Sequence, residues 1–127
     1  MLIEIDNHSG VPVYKQIMEQ IRLAILYGHL EEEEQLPSVR DLASELQVNP
    51  MTISKSYAYL ENEGLLMRKR GKGIYVSSSS QQIKEEEKIK ILEESMSVMM
   101  AQASQLGVPK AELKLLFEKF CKSYKAE

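Results

Sequence analysis

Apolar residues recur at helical spacing through the first half of the chain. Val13, Ile17, Ile21, Ala24 and Ile25 fall three and four positions apart, which predicts a helix with one buried face from about 12 to 28. Pro12 suits its first turn, where an N–H has no partner to lose, and Gly28 suits a left-handed exit. A second helix is expected from Ser38, whose hydroxyl can cap free N–H groups. Asp41, three places on, completes a capping box or favours the positive helix end. Val39, Leu42, Ala43 and Leu46 form its buried side, and Gln47-Val48 makes a short turn. Asn49-Pro50 then starts a third helix, with Asn at the cap and Pro at the first helical position. It runs to about 62 or 63 and stops at Gly64. Ile53, Tyr57 and Leu60 mark its inner face, which leaves Met51, Thr52, Lys55 and Ser56 near the outer face or leading end. Residues 65–69 and 74–77 read as strands, joined by the turn Arg70-Gly71-Lys72-Gly73.

After the hairpin the pattern changes. The serines at 77–80, followed by Gln81 and Gln82, break the composition and read as a hinge. Beyond them Ile89, Leu92, Met96, Met99, Ala103 and Leu106 alternate spacings of three and four, a heptad-like stripe. Gly107 ends that helix and Pro109 opens another, with Leu113, Leu116, Phe117, Phe120 and Tyr124 as its apolar face. Two helices of this size cannot bury such faces fully against each other. They are therefore expected to pack on a second copy of the chain. The expected fold is mainly α with a small β-hairpin: a winged helix-turn-helix domain over residues 1–77, then a two-helix dimerisation tail over 78–127. A winged helix puts a helix in the DNA major groove and a wing over the neighbouring backbone.

The net charge of −3 runs against a DNA-binding role, but its distribution does not. Residues 55–72 carry Lys55, Arg68, Lys69, Arg70 and Lys72 against Glu61 and Glu63, while acids gather at 31–34 and 85–87. A local basic stripe can bind phosphates on an acidic molecule. At 43% hydrophobic and 28% charged residues the chain has an ordinary globular composition, which argues against disorder. No apolar run approaches bilayer length, and the N-terminus lacks the pattern of a secretory signal, so no membrane association is expected. The single Cys121 cannot form an internal disulfide, in keeping with a reducing cytoplasm.

The pieces P-V-Y-K-Q-I, L-P-S-V-R-D-L-A, V-N-P-M-T-I-S-K-S-Y, L-E-N-E-G-L-L and K-R-G-K-G-I-Y-V resemble the GntR family of bacterial transcription regulators, in its short YtrA-like branch. They span residues 11–77. The resemblance implies a dimeric winged-helix repressor of a palindromic operator, with two dimerising helices in place of a large effector domain. Release could come from a small molecule that binds at or near the junction of domain and tail. Two departures stand out: Glu32-Glu33 replaces the family's usual proline and glycine before the second helix, and Met51 replaces a polar Asn.

The resemblance places Arg40 at the family's phosphate- or base-contacting arginine, and its planar fork suits phosphate or guanine. Pairing with a local carboxylate, Asp41 or Glu45, is the alternative. Thr52 matches a DNA-contacting position and Lys55 a basic position that meets a phosphate. Asn49 is explained equally well as a cap or as a base contact, and Met51 can touch a thymine methyl. In the wing, Gly71 and Gly73 let the backbone approach DNA closely, and Arg70 or Lys72 could lie along the minor groove. Ser38 completes the expected DNA-facing set. Ser54 and Ser56 are read as surface serines. Tyr57 is read as core, with Tyr59 and Tyr75 at its edge. Met96, Met99 and Met100 are read as dimer core before ligand site. His8, His29 and Cys121 have no metal-ligand spacing, and no nucleotide loop or nucleophile motif is present, so neither cofactor nor catalysis is expected. The competing reading is a winged-helix protein-interaction module without specific DNA binding.

Overall fold

In the computed structural model, which describes residues 2–125, the elements are α1 (Val13–Leu26), α2 (Val39–Leu46), α3 (Pro50–Asn62), β1 (Leu66–Lys69), β2 (Gly73–Val76), α4 (Ser80–Leu106) and α5 (Lys110–Ser123). The chain divides into two units, up to Lys88 and from Ile89.

The first unit has α3 at its centre, packed against α1, α2 and β1. Ile17 and Ile21 of α1, and Ile53, Tyr57 and Leu60 of α3, are fully buried, as their spacing predicts. Leu42 and Ala43 of α2 join the same core, while Val13, Ala24, Val39 and Leu46 pack on its margin. Ser38 caps α2 by accepting from the Asp41 N–H at 3.1 Å. Asn49 caps α3 through the Met51 N–H at 2.9 Å, with Pro50 at the first helical position. Gln47 takes the left-handed conformation between α2 and α3, at φ 56°.

β1 and β2 pair antiparallel, Leu66 opposite Val76 and Lys69 opposite Gly73. The paired strands are 66–69 and 73–76, against the 65–69 and 74–77 that the hydrophobic pattern predicts. The outer residues stay bonded: Ser77 N–H donates to the Leu65 carbonyl at 2.9 Å. The chain before α2 lies along the free side of β2, where Glu33 and Leu36 donate to Val76 and Ile74 and the Val76 N–H returns to Glu34. The turn leading into that segment is closed by Glu34 N–H on the Glu31 carbonyl at 3.0 Å, and Glu33 sits in it at φ 69°. The turn therefore keeps the left-handed residue that glycine usually supplies, with an acid in the place. A side chain held in that region costs about 1–2 kcal/mol.

Three expectations need correction. Pro12 caps α1 in extended backbone and is not its first helical residue. Ser56 is not at the surface: it is fully buried, because the α1–α3 contact covers it and its hydroxyl finds carbonyls there. Nor do the serines at 77–80 form an open linker. Ser77 and Ser80 are buried, Ser79 Oγ donates to the Gly64 carbonyl at 2.7 Å, and Ser80 starts α4. Serine hydroxyls can bond nearby backbone as readily as water, so composition alone does not separate a linker from a bonded turn. Ile83 also packs on the core, which is why the first unit runs on past these serines.

The second unit holds the rest of α4 and α5. Gly107 ends α4 in the left-handed conformation and Pro109 caps α5. Ile89, Leu92, Met96, Met99, Leu106, Leu116, Phe117 and Phe120 are all exposed. Leu113 is half-buried, and Ala103 is already covered within the unit.

Candidate nucleic-acid interface

The leading turns of α3 and the start of α1 enclose an open groove of about 750 Å³, lined by Val13, Tyr14, Asn49, Met51, Thr52, Ser54 and Lys55. Four of the residues expected to face DNA thus meet in one place. Asn49 uses its side-chain oxygen as the helix cap, which leaves its amide N–H groups to donate to a partner. Met51 projects with 77% of its surface exposed. Thr52 is half-buried. The Lys55 ammonium lies 3.9 Å from the centre of the Tyr14 ring, and Tyr14 stacks on Tyr59 with centroids 5.7 Å apart.

Arg40 stands outside this groove, in the first turn of α2. It is exposed and forms no ion pair with Asp41, Glu45 or any other described residue. Just before the α2 cap, the Tyr57 hydroxyl donates to the Pro37 carbonyl at 2.8 Å. Burial, with a smaller contribution from the Glu45 charge, pushes the Tyr57 phenol well above its ordinary pKa. It therefore remains a donor.

The wing forms a second cluster. Gly71 and Gly73 both have positive φ, at 73° and 114°. A Cβ on Gly73 would lie 2.9 Å from Gln35 Nε2, which itself donates to the Lys72 carbonyl at 2.9 Å. Gln35 therefore fixes the tip from below. The side chains of Arg70 and Lys72 are exposed without a partner among the described residues. Lys69 is different: its ammonium is 2.7 Å from the Glu33 carboxylate and lies over the Tyr75 ring. Arg68 faces Glu61 at 3.8 Å. The basic stripe is thus partly neutralised, by Glu61 within residues 55–72 and by Glu33 outside them.

Sequence reasoning assigned no role to Tyr14 or Gln35 at these clusters, and it marked Glu33 only as a departure that adds negative charge near the DNA face. Tyr14 had a signal, since it lies inside P-V-Y-K-Q-I yet off the buried stripe of α1. Gln35 had none, because its bond spans a turn, a helix pair and a strand. Among the described residues no group of His, Cys, Asp or Glu could hold a metal ion, and no helix is long and apolar enough to cross a membrane.

The family model for bacterial regulatory proteins, gntR family, matches residues 13–76, which is the span that builds both clusters. This chain belongs to the gntR family. It is a DNA-binding transcription regulator of winged-helix fold. As a gntR member it is similar over its length to the HTH-type transcriptional repressor YtrA of Bacillus subtilis, at 37% identity over 92% of this chain and 88% of that one. A solved GntR family transcriptional regulator from Listeria monocytogenes superimposes with a TM-score of 0.68 at 33% identity, covering 91% of this chain and 98% of that one. AraR(DBD), solved in complex with operator ORX1, matches 61% of this chain and 96% of its own at 25% identity and a TM-score of 0.54.

Proposed function

We propose that this gntR regulator is a homodimeric repressor that grips a pseudo-palindromic operator through α3 and the wing. The observation that carries the reading is the pairing state of the exposed cations. Arg40, Arg70 and Lys72 have no carboxylate partner among the described residues, and Lys55 lines the groove at the head of α3. Free cations on a rigid frame suit phosphate, and a helix N-terminus with Asn, Met and Thr suits base edges. In this reading Ser38 and Arg40 meet backbone beside the groove, and Asn49, Met51, Thr52 and Lys55 enter it. Arg70, Gly71, Lys72 and Gly73 follow the adjacent minor groove. The name of the YtrA relative supports repression, and the AraR complex supports operator DNA as partner.

Residues 78–127 supply the dimer in this proposal, through Ile89, Leu92, Met96, Met99, Leu106, Phe117 and Phe120, with Ala103 and Leu113 behind them. A two-fold axis would set two α3 helices in successive major grooves. A mainly apolar cleft of about 510 Å³, lined by Met96, Met99, Met100, Leu113 and Phe117 with Lys110, Lys114 and Glu118 also on its wall, offers room for the partner or for a small effector that favours the DNA-free form. The chain acts by occupying DNA and not by catalysis, a task that belongs in the cytoplasm.

Gel shift on DNA from its own upstream region, over a salt series, tests the proposal. Saturable binding that resists competitor DNA and weakens with salt is expected. Arg40→Ala or Lys55→Ala is expected to weaken it with fold and assembly intact, and wild-type affinity in both variants would remove the site assignment. If no specific duplex is found, even by selection from a random pool, the protein-interaction reading replaces this one.

A further inference from the structure

Lys55 and Lys69 each lie over a tyrosine ring, but only Lys69 has a carboxylate partner as well. Glu33 orders Lys69 and cancels its charge. Lys55 is ordered by an aromatic face and has no carboxylate partner among the described residues. A ring quadrupole attracts an ammonium without neutralising it. The lysine is then fixed in the groove as a full positive charge, which is what a phosphate needs.

The ring is itself well fixed. Tyr14 stacks on Tyr59 at an interplanar angle of 18°. Lys55 and Tyr59 are four residues apart on α3, so they share one strip of the helix, and Tyr14 lies against that strip from α1. Behind it, the buried Ser56 hydroxyl sits 2.9 Å from the Tyr14 carbonyl and 3.0 Å from the Thr52 carbonyl, where one proton serves both. This ties the backbone under Tyr14 to the turn of α3 that carries Thr52. Tyr14 also lines the groove with Asn49, Met51 and Thr52.

We propose that Tyr14 is a positioning residue for DNA binding: a shelf, backed by Tyr59 and latched by Ser56, that pre-orders Lys55 over the operator phosphate. The proposal rests on the DNA-binding reading above. The shelf removes part of the side-chain ordering cost before DNA arrives, which raises affinity without adding a contact.

A double-mutant cycle on the full chain tests it, using a duplex selected by the wild-type protein from a random pool. Tyr14→Leu is expected to weaken binding about two- to five-fold. In a Lys55→Ala background the same change is expected to have no further effect. Tyr14→Phe keeps the ring and is expected to bind like wild type. An equal loss in both backgrounds would mean that Tyr14 acts without Lys55, and the shelf is wrong. Loss in Tyr14→Phe equal to that in Tyr14→Leu would assign the effect to the hydroxyl, and the shelf would again be wrong. If Lys55→Ala itself binds like wild type, the Lys55 phosphate contact falls and the shelf with it; if Lys55→Ala is weak but the cycle is additive, the shelf alone falls. Should Tyr14→Leu lose cooperative unfolding, the Lys55 side-chain protons in the wild-type NMR spectrum decide. An upfield ring-current shift supports the shelf, and its absence overturns it.

Discussion

The same periodicity has opposite outcomes in the two units. On α3, Ile53, Tyr57 and Leu60 recur three and four apart and all are at 0% exposure. On α4, Leu92, Met96 and Met99 recur in the same way and lie 55%, 45% and 41% exposed. Spacing identifies a face, but it does not say what covers it. In the first unit the cover is α1, α2 and the hairpin. In the second, two helices cannot enclose their own apolar stripes, and a large apolar surface is left for something else.

The largest effects should therefore come from the covered face. Leu60→Ala is expected to cost about 2–5 kcal/mol of the first unit's stability, read by urea unfolding. Leu92→Ala removes the same atoms from an open face, so its cost should vanish as the protein is diluted. A loss at Leu92 that is as large as at Leu60 and independent of concentration would erase the contrast between the units.

Charging the open stripe is the next test. Leu92→Asp combined with Met99→Asp is expected to give a monomer in sedimentation equilibrium while the winged unit still unfolds cooperatively. The double variant should also lose most operator affinity, since two half-sites would no longer be bound together. A fully dimeric double variant would put the seam elsewhere.

Polar groups show the same difference between covered and open at smaller scale. Tyr57 buries its ring and gives its hydroxyl to the Pro37 carbonyl. Tyr57→Phe leaves that carbonyl without its donor and is expected to cost about 1 kcal/mol by thermal or urea unfolding. Its pKa is raised in the fold, so the folded state keeps its proton after the unfolded chain begins to lose it. The contribution of Tyr57 is thus complete below about pH 10 and declines as pH rises beyond that value. Unfolding midpoints across alkaline pH should fall less steeply in Tyr57→Phe than in wild type. Equal slopes would show that the phenol is not held in its neutral form.

How far the sequence carried follows from the same distinction. Capping at Ser38 and Asn49, the core stripes of α1 and α3 and the glycine-bearing wing turn are local signals, each set by residues within a few positions, and all were legible. Asn49, Met51, Thr52 and Lys55 of the groove were legible for the same reason, whereas Ser54, read as a surface serine, also lines it. The Tyr14 contact with Lys55 joins α1 to α3, and the Glu33 contact with Lys69 joins the turn before α2 to the wing. Neither has a local signature. The serines at 77–80 misled because a hydroxyl that bonds to backbone and one that bonds to water give the same composition.

The smallest predicted effect is also the one that isolates charge from packing. Glu33→Gln keeps the left-handed turn residue and its size but removes the carboxylate beside Lys69. Both partners are substantially exposed, so the change in stability is expected to stay within about 0.5 kcal/mol. DNA binding should respond more clearly. Lys69 would join Arg70 and Lys72 as an uncancelled cation beside the wing tip, and the plot of log affinity against log salt should steepen by up to about one unit. Lys69→Gln in the Glu33→Gln background should restore the wild-type slope, since the two changes together leave the local charge as it was. A slope in Glu33→Gln that matches wild type would place Lys69 away from the phosphates, and the wing would then reach DNA through its tip alone.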